Sequence, residues 1–514
     1  MWDVPFDLFF ILVIWVSRSQ QYSITGQNYL INTRKCKIPN IPTYSPDLNL
    51  TRDPKVECTN FQTLLTYTTI ENHQAKLHIN YEAVAKYFGT PYSLKCCYSY
   101  IYRNGSEDYP DVGVMASRCK EFFHSRVLNH DLVWVSCSRV PELSFDDIVY
   151  QNVHQVITVP PEIEEKAEKL RQSTIKRPIS VMMIVIDSIS RLNFYRTMPL
   201  TRNFVTSNGF YEFKGYNKVA DNTFPNAMAF LSGLTLHEAN SICRPSEVDG
   251  LMNCPLLWYK YRDSGYATAY AEDWAPIGTF NYMKKGFRDK PTDYYYKPYM
   301  DAITYLKCLN QDTMPFCAGP ETQGDRILNL AKGFATTLRN IPYFGVFWMN
   351  TFSHNYITSP MSMDLNVRDF FQALKNSSVL NESVVILLSD HGIRFGDIIN
   401  TTRGFYELRL PMHYISLPQW FKREFPVEVR NFEENTKKLT SNFDLYMTLQ
   451  HVLKMSVANY TVSPVRACPH CRSFFEKIPE RSCVEAGIPS IWCTCNVNFN
   501  GLIYDKLNAS YIMK

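Results

Sequence analysis

Side chains that can bind a metal ion follow two continuous apolar runs of the sequence. Asp187 comes directly after the run 180–186, and Asp390 and His391 follow the run 383–388 after a single serine. Such runs are typical of strands buried on both faces of a parallel sheet, whose ligands bind beyond the carboxyl ends of the strands. Carboxylates and a neutral imidazole suit an ion such as Zn²⁺. We therefore predict a divalent metal ion, preferably zinc, at Asp187, Asp390 and His391.

A third apolar run, 344–349, is followed by Asn350 and, four residues later, by His354. Structural alternatives exist for single residues of these types. An Asp after a strand, such as Asp187, is often a helix N-cap, and a lone His near an apolar run is usually a hydrogen-bonded core residue. An adjacent Asp–His pair followed by a glycine fits these alternatives less well. The convergence of three strand ends therefore favours a metal site.

A nucleophile is predicted at Thr223, in the segment 221–233. Pro225 suits the first turn of a helix and residues 227–231 continue it, so Thr223 lies just before a helix N-terminus. Unpaired N–H groups and the helix dipole favour an anionic group there. A hydroxyl beside a metal ion is activated for attack without an adjacent base. The alternative is that Thr223 only caps the helix, but the Asp–His pair elsewhere in the chain favours the nucleophile.

The elements that must position these side chains are the buried strands and the helical patterns between and after them. The segment 367–374 carries four apolar residues on one helical face, and 439–453 carries a second apolar stripe. Buried strands that alternate with helices predict an α/β doubly wound sheet. We place this catalytic core at residues 177–460.

Most of the 15 cysteines lie outside this core, in Cys-rich regions at residues 20–176 and 461–514. The first region contains short β-prone runs such as 131–136, and its charged stretch 162–171 is interpreted as a solvated linker helix. Cysteines of an exported chain are expected in disulfides, and an odd number leaves one free. For Cys468-Pro-His-Cys471 the minor alternative is half a zinc site or a redox pair.

The N-terminus predicts entry into the secretory pathway. Residues 6–16 are apolar and have the length of a signal-peptide core, so residues 1–19 are assigned to a signal peptide; a retained type II membrane anchor or a buried apolar segment is the alternative. No apolar run reaches the roughly 18 residues that a spanning helix needs. Seven sequons add N-linked glycans to this prediction of an extracellular protein: Asn49, Asn104, Asn376, Asn381, Asn400, Asn459 and Asn508.

The overall composition excludes other classes of protein. Apolar residues make up 45% and charged residues 20% of the 514, which is the balance of a globular chain. The net charge of +4 is too small to predict a nucleic-acid partner. The oligomeric state is not indicated by the sequence.

The chain resembles the alkaline-phosphatase/sulfatase superfamily in the order of its motifs. These are Asp187, the T-F-P-N motif at Thr223, His354 and the S-D-H-G motif at Asp390 and His391. From about residue 36 onward, the chain resembles more closely a nematode-expanded branch, the domain of unknown function 229 family. The closer resemblance is carried by five stretches: 186–193, 267–274, 388–396, 410–418 and 488–495.

The superfamily resemblance implies a three-layer αβα core, a bound divalent metal and attack on phosphate or sulfate esters. It assigns four residues to the first metal site, with the threonine as nucleophile: Asp187, Thr223, Asp390 and His391. Members with two zinc ions use an Asp followed four residues later by a His for the second ion, and Asn350 and His354 match these positions. Because Asn is a weaker, neutral ligand, one metal site is favoured, with Asn350 and His354 expected to bind substrate.

Three other residues are left with open roles by the resemblance. His413 is the nearest match to the last His of a second metal site, although a structural role is preferred. Glu272 and Asp273 lie either near the site or in a solvated helix or loop. The motif at Thr223 lacks the oxidisable Cys or Ser and the following Arg of sulfatases, which favours Thr-based phosphoryl transfer over arylsulfatase chemistry.

The predicted function is therefore a secreted, metal-dependent hydrolase or transferase that acts on phosphate esters, less readily sulfate esters, through Thr223. The alternative is a catalytically weakened ectodomain of the same fold that binds a glycan, a lipid headgroup or a protein, since Asn350 stands at a metal-ligand position. A disulfide-rich structural protein fits the two ends of the chain but not its strand-end side chains. The identity of the substrate is left open.

Overall fold

The computed structural model describes residues 28–46, 48, 50–51, 54–59, 63–71, 74–88, 94–139, 148–174 and 176–497. The predicted signal peptide at 1–19 and the sequons at Asn49 and Asn508 lie outside these residues. The other five sequon asparagines are exposed. Within the described residues, no helix combines the length and the apolarity needed to cross a membrane.

The strands are β1 Tyr29–Asn32, β2 Lys37–Pro39, β3 Thr66–Glu71, β4 Gln74–Ile79, β5 Leu94–Arg103, β6 Val114–Ala116, β7 Lys120–Phe122, β8 Ser125–Val127, β9 Leu132–Arg139, β10 Ile148–Gln155, β11 Ser180–Ile186, β12 Tyr211–Glu212, β13 Gly215–Asn217, β14 Ala267–Glu272, β15 Tyr294–Tyr295, β16 Cys308–Gln311, β17 Met314–Ala318, β18 Glu321–Thr322, β19 Tyr343–Met349, β20 Ser383–Leu388, β21 His413–Ser416 and β22 Leu439–Ser441.

The α-helices are α1 Tyr81–Phe88, α2 Pro161–Ser173, α3 Arg191–Thr197, α4 Pro199–Ser207, α5 Thr223–Ser232, α6 Leu236–Ile242, α7 Leu257–Asp263, α8 Lys297–Ile303, α9 Gln323–Thr337, α10 Asp364–Asn376, α11 Val379–Glu382, α12 Thr402–Arg409, α13 Gln419–Glu424, α14 Pro426–Asn435 and α15 Asn442–Ser456.

The central sheet has seven strands in the order β12-β21-β20-β11-β19-β14-β15. The strands β20, β11, β19, β14 and β15 are parallel, and β21 pairs antiparallel with β20. The predicted strands 180–186 and 383–388 coincide with β11 and β20, and β19 begins one residue before the predicted run. The carboxyl ends of β20, β11 and β19 therefore meet at one edge of the sheet, in adjacent positions.

Both faces of this sheet are covered by helices. Successive side chains of a strand point to opposite faces, and alternate residues of β11 join two different apolar cores. One core includes side chains of α5, α7 and α15, and the other includes side chains of α4, α9 and α10. This arrangement confirms the prediction of a doubly wound, three-layer α/β core.

The N-terminal region is rich in strands and has a core of its own. One sheet has the order β10-β9-β5-β6, with β7 also paired to β5, and a second has the order β3-β4-β8. The predicted helix is present as α2, but it is not a solvated linker, because its residues Ile163, Ala167 and Leu170 are buried. Their spacing of four and three residues places them on one face, which packs on the protein while the charged residues face outward.

Seven disulfides join fourteen of the cysteines and leave Cys308 free: Cys36–Cys495, Cys58–Cys317, Cys96–Cys137, Cys97–Cys119, Cys243–Cys254, Cys468–Cys471 and Cys483–Cys493. The expected odd cysteine is thus Cys308. Because Cys468 and Cys471 are bonded to each other, they are not half of a zinc site. Seven disulfides fit a protein of an oxidising compartment.

The predicted helix 439–453 begins later than expected. Residues 439–441 form β22, which pairs in parallel with β13, and α15 starts at Asn442. The carboxylate of Asp444 accepts a hydrogen bond from the Ser441 N–H at 2.8 Å, which satisfies one donor at the start of the helix. The apolar stripe therefore runs from β22 into α15, and the residue types do not mark where the strand ends and the helix begins.

Candidate metal centre

Asp187, Asp390 and His391 each bring one ligand atom to a common place, where these atoms lie within 4.8 Å of one another. Nε2 of His391 is 3.3 Å from Oδ2 of Asp390 and 3.6 Å from Oδ1 of Asp187. All three side chains are fully buried. The ends of β11 and β20, which are neighbours in the sheet, thus bring together three of the four residues that were predicted for the metal site.

The two carboxylates are incompletely hydrogen-bonded, since Oδ2 of Asp187 and Oδ2 of Asp390 are buried without a partner. Burial, with the nearby Asp390 carboxylate, raises the pKa of Asp187 well above its ordinary value. Burial also lowers the pKa of His391 to about 4, which keeps the imidazole neutral. Unpaired buried charges are costly, and a divalent cation would offset this cost. Two carboxylates and a neutral imidazole therefore fit such an ion.

The turn after β11 holds its residues in a strained conformation. Ser188 has a φ of 62°, in the left-handed region that non-glycine residues rarely adopt. Its N–H donates to Oδ1 of Asp390 at 3.4 Å, and the N–H of Ile189 donates to Oγ of Ser389 at 2.9 Å. Strained backbone of this kind clusters at functional sites. Here the two hydrogen bonds connect the ends of β11 and β20.

The loop after β20 orients the imidazole of His391. Nδ1 of His391 lies 2.9 Å from the carbonyl oxygen of Gly392, and Nε2 points to the carboxylates. A Cβ atom at position 392 would lie 1.9 Å from the carbonyl oxygen of Glu407, so only glycine fits this close approach. The glycine of the S-D-H-G motif therefore lets α12 pack directly against the loop.

Thr223 is the first residue of α5, and its hydroxyl reaches the same cluster. Oγ1 is 3.5 Å from Oδ1 of Asp187 and 3.4 Å from Nε2 of His391. The N-cap position belongs to Asn222, so the structure does not place Thr223 as the cap. The N–H groups of a first helical turn have no partner within the helix. The hydroxyl thus lies between the carboxylate cluster and a helix N-terminus.

Asn226, the last residue of the T-F-P-N motif, fastens the loop before Thr223. Its Oδ1 accepts from the N–H groups of Val219 and Ala220 at 3.0 and 3.1 Å. Its Nδ2 donates to the carbonyl oxygens of Ala220 and Asn222, both at 3.0 Å. This role of Asn226 was not predicted from the sequence, although its position within the T-F-P-N motif was the available signal.

Lys218 is a second residue whose surroundings were not predicted from the sequence. It is fully buried, its Nζ donates to the carbonyl oxygen of Asp221 at 2.9 Å, and it lies 4.1 Å above the ring of Trp492. The carboxylate of Asp221 pairs with Arg394 at 3.0 Å. Burial lowers the pKa of Lys218 to about 7. No sequence pattern identified this lysine, because its partners come from the C-terminal region and from the loop before α5.

Asn350 directly follows β19, and its amide faces the carboxylates of Glu272, the last residue of the neighbouring strand β14, and of Asp273, the residue after it. Nδ2 donates to Oε1 of Glu272 at 3.2 Å and to Oδ1 of Asp273 at 3.1 Å, and Asp273 also accepts from the N–H and hydroxyl of Thr351. Burial raises the pKa of Glu272 to about 7 and that of Asp273 to about 6. Glu272 and Asp273 are fully or nearly fully buried, which corrects the alternative of a solvated position.

His354 approaches the cluster from the turn after β19. Its Nε2 is 3.9 Å from Oδ2 of Asp187, and its Nδ1 is 2.7 Å from Oδ1 of Asn355. His413, by contrast, lies at the start of β21 between aromatic rings: Phe213, Tyr216 and Phe474. Neither ring nitrogen of His413 has a hydrogen-bond partner. The structure therefore brings His354 to the site and leaves His413 in the core.

The fold and this cluster define the class: an α/β protein whose parallel strand ends carry a candidate metal centre beside a threonine at a helix N-terminus. The chain belongs to the family described as protein of unknown function (DUF229), whose profile matches residues 51–508. The predicted family is thereby confirmed. Among curated proteins, none shows significant similarity to the chain.

Solved structures that are similar to the chain include three bacterial proteins. The lipoteichoic acid synthase LtaP from Listeria monocytogenes has a TM-score of 0.38 at 11% identity, covering 61% of this chain and 81% of that one. The C-terminal periplasmic domain of phosphoethanolamine transferase EptC from Campylobacter jejuni has a TM-score of 0.37 at 12% identity, covering 59% of this chain and 96% of that one. The putative sulfatase yidJ from Bacteroides fragilis has a TM-score of 0.38 at 13% identity, covering 59% of this chain and 78% of that one.

Proposed function

We propose that the protein is a secreted, metal-dependent enzyme that cleaves or transfers phosphate esters through Thr223. The observation that carries this proposal is the position of the Thr223 hydroxyl, within 3.5 Å of both Asp187 and His391 and at the first turn of α5. Asp187, Asp390 and His391 would hold one divalent ion, preferably zinc. When bound, such an ion supplies a positive charge that stabilises charge developing on the phosphoryl group.

The residues of the chain account for the rest of the chemistry. Oγ1 of Thr223 attacks phosphorus; the Oγ1–P bond forms as the bond to the ester oxygen breaks, and the departing alcohol takes the proton that Thr223 gives up. A water or second alcohol then attacks phosphorus; the new O–P bond forms as the Oγ1–P bond breaks, and the proton of the attacking group passes to Oγ1. The first turn of α5 offers N–H groups to the phosphoryl oxygens. His354 and Asn350 are proposed to contact the substrate.

The test compares two variants of the secreted protein, with elemental analysis and hydrolysis of a generic aryl phosphodiester as measurements. Thr223→Ala is expected to keep its metal and to lose turnover on the order of 10⁴-fold, because the attacking atom is gone. Asp390→Asn is expected to lose both metal and turnover, because a neutral amide replaces a charged ligand. The wild type is expected to hold one metal per chain. Unchanged hydrolysis by Thr223→Ala would refute the assignment of Thr223 as the nucleophile.

A second candidate function is favoured by Asn350, whose amide is turned to Glu272 and Asp273 where a two-metal enzyme needs a charged ligand. In this case the protein is a catalytically weakened ectodomain that binds a glycan, a lipid headgroup or a protein. The same measurements separate the candidates. A purified wild type that holds no metal and hydrolyses no phosphate or sulfate ester supports the second candidate.

A further inference from the structure

Three aromatic side chains form a group in which the middle ring, His354, approaches Asp187 of the candidate metal centre. His354, whose Nε2 is 3.9 Å from Oδ2 of Asp187, is the middle ring. Its centroid lies 5.3 Å from that of Phe395 and 6.4 Å from that of Trp274, at interplanar angles of 48° and 84°. We call Trp274, His354 and Phe395 the aromatic trough. Because its rings stand at angles, they do not stack face to face on one another.

The aromatic trough is accessible, whereas the aromatic ring nearest to Thr223 in sequence is not. Phe395 is 43% exposed, and Trp274 and His354 are partly exposed. Phe224 is nearly buried, packs edge-on against Phe280 and has Nζ of Lys284 4.3 Å above its ring. Aromatic contact for a bound molecule at this centre is therefore offered by the trough rather than by Phe224.

The backbone of Trp274 supports the same assignment. Its φ and ψ of 52° and 62° lie in the left-handed region, where bulky residues are outliers. The N–H of Trp274 donates to Oε1 of Gln323 at 3.2 Å, and the carboxylate of the preceding Asp273 accepts a hydrogen bond from the N–H of Asn350 at 2.6 Å. Strain that the surroundings maintain is typical of ligand-binding positions. It turns the chain at the end of β14, where the ring meets His354.

We propose, resting on the proposed function, that the aromatic trough binds an aromatic ring in the organic group of the phosphate ester. Thr223 and His354 both approach the carboxylate of Asp187, so the organic group of a phosphate held at Thr223 can reach the aromatic trough. Ring edges and faces set at angles match the arrangement that aromatic pairs prefer. The substrate class is thus an aryl-bearing phosphate ester rather than a simple alkyl phosphate.

The test measures calorimetric affinities of the full-length, metal-loaded protein for phenylphosphonate, cyclohexylphosphonate and methylphosphonate. None of these probes has an ester bond, so binding is read without turnover. Phenylphosphonate is expected to bind roughly two- to tenfold more tightly than either of the others. Two variants, Phe395→Ala and Trp274→Asn, should each abolish this preference and leave the affinity for methylphosphonate unchanged. Asn is chosen at position 274 because it tolerates the left-handed backbone. Phe123→Ala, at an exposed phenylalanine of the N-terminal region, is the matched control and should keep the preference.

The outcomes separate this inference from the proposed function. If phenylphosphonate and cyclohexylphosphonate bind equally, or if the preference survives in both trough variants, the aromatic trough is not a ring subsite, while the phosphoryl site stands. If none of the three phosphonates binds to the metal-loaded protein, the phosphoryl site itself is refuted and the trough assignment falls with it.

Discussion

At the scale of single residues, the same chemical type has opposite roles in different surroundings. His391 and His413 are both fully buried, and burial lowers the pKa of each. His391 has two carboxylates and a hydroxyl around it, whereas His413 has three aromatic rings and no hydrogen-bond partner. The neighbours, and not the burial, distinguish a candidate metal ligand from a core residue.

This contrast predicts the behaviour of His413→Leu. Because the pKa of His413 is lowered from 6.5 to about 3, the unfolded chain binds a proton between these pH values that the native protein does not bind. Its contribution to stability is therefore present above pH 6.5 and is lost as the pH falls toward 3, by about 1.4 kcal/mol per pH unit. We expect the Tm of His413→Leu to fall less with decreasing pH than that of the wild type.

The same variant tests the structural role of His413. An apolar side chain of similar size removes two unsatisfied ring nitrogens, so at pH 7 the Tm should not decrease greatly. Metal content by elemental analysis should equal that of the wild type. Loss of metal from His413→Leu would show instead that His413 is a ligand.

At the scale of elements, the site is formed by three strand ends and one helix start. The strand ends were predictable because both-sided burial leaves a continuous apolar run, and β11 and β20 match their runs to the residue. The start of α15 was not, because β22 and the helix share one apolar stripe. Contacts that join distant segments, such as Lys218 with Trp492, leave no local pattern in the sequence.

Asn226 is predicted to act as a positioning residue for Thr223. Asn226→Asp keeps the two acceptor bonds to Val219 and Ala220 but loses the two donor bonds, so the loop before α5 should shift. Small misplacements of a reacting group lower kcat by about 10²-fold. We expect kcat to fall by roughly this factor while KM and metal content change little, as measured by steady-state kinetics and elemental analysis.

Ser232→Ala is the matched control for Asn226. Ser232 is also buried on α5, but its hydroxyl donates to Met228 near the other end of the helix. Its removal should leave kcat unchanged. If both variants lower kcat equally, the effect belongs to the stability of α5 and not to the loop that precedes Thr223.

At the scale of the whole molecule, the Cys-rich regions are fastened to the core and to each other. Cys58–Cys317 joins the N-terminal region to β17, and Cys36–Cys495 joins residues 459 positions apart. Asn217 on β13 also donates to the carbonyl oxygen of Trp492 at 2.9 Å. The C-terminal region therefore lies against the loop that leads to Lys218 and Thr223.

Removal of the long-range disulfide should destabilise the protein more than removal of a local one. A disulfide that closes a longer loop restricts the unfolded chain more, and loss of one typically costs about 2–5 kcal/mol. We expect Cys36→Ser with Cys495→Ser to lower the Tm more than Cys243→Ser with Cys254→Ser, whose cysteines are 11 residues apart. Equal Tm values in a thermal melt would contradict this.

The Cys36–Cys495 bond also sets an order of events during synthesis. Cys36 and Cys495 are 459 residues apart, so this bond cannot form until the segment that carries Cys495 has been made. Cys97–Cys119 and Cys96–Cys137, in contrast, join segments that are made close together in time. The N-terminal sheets can thus be locked early, whereas Cys36 must stay reduced, or be protected from wrong partners, until the C-terminal region arrives. The pairing of Cys36 with Cys495 is therefore a late step in the oxidative maturation of this protein.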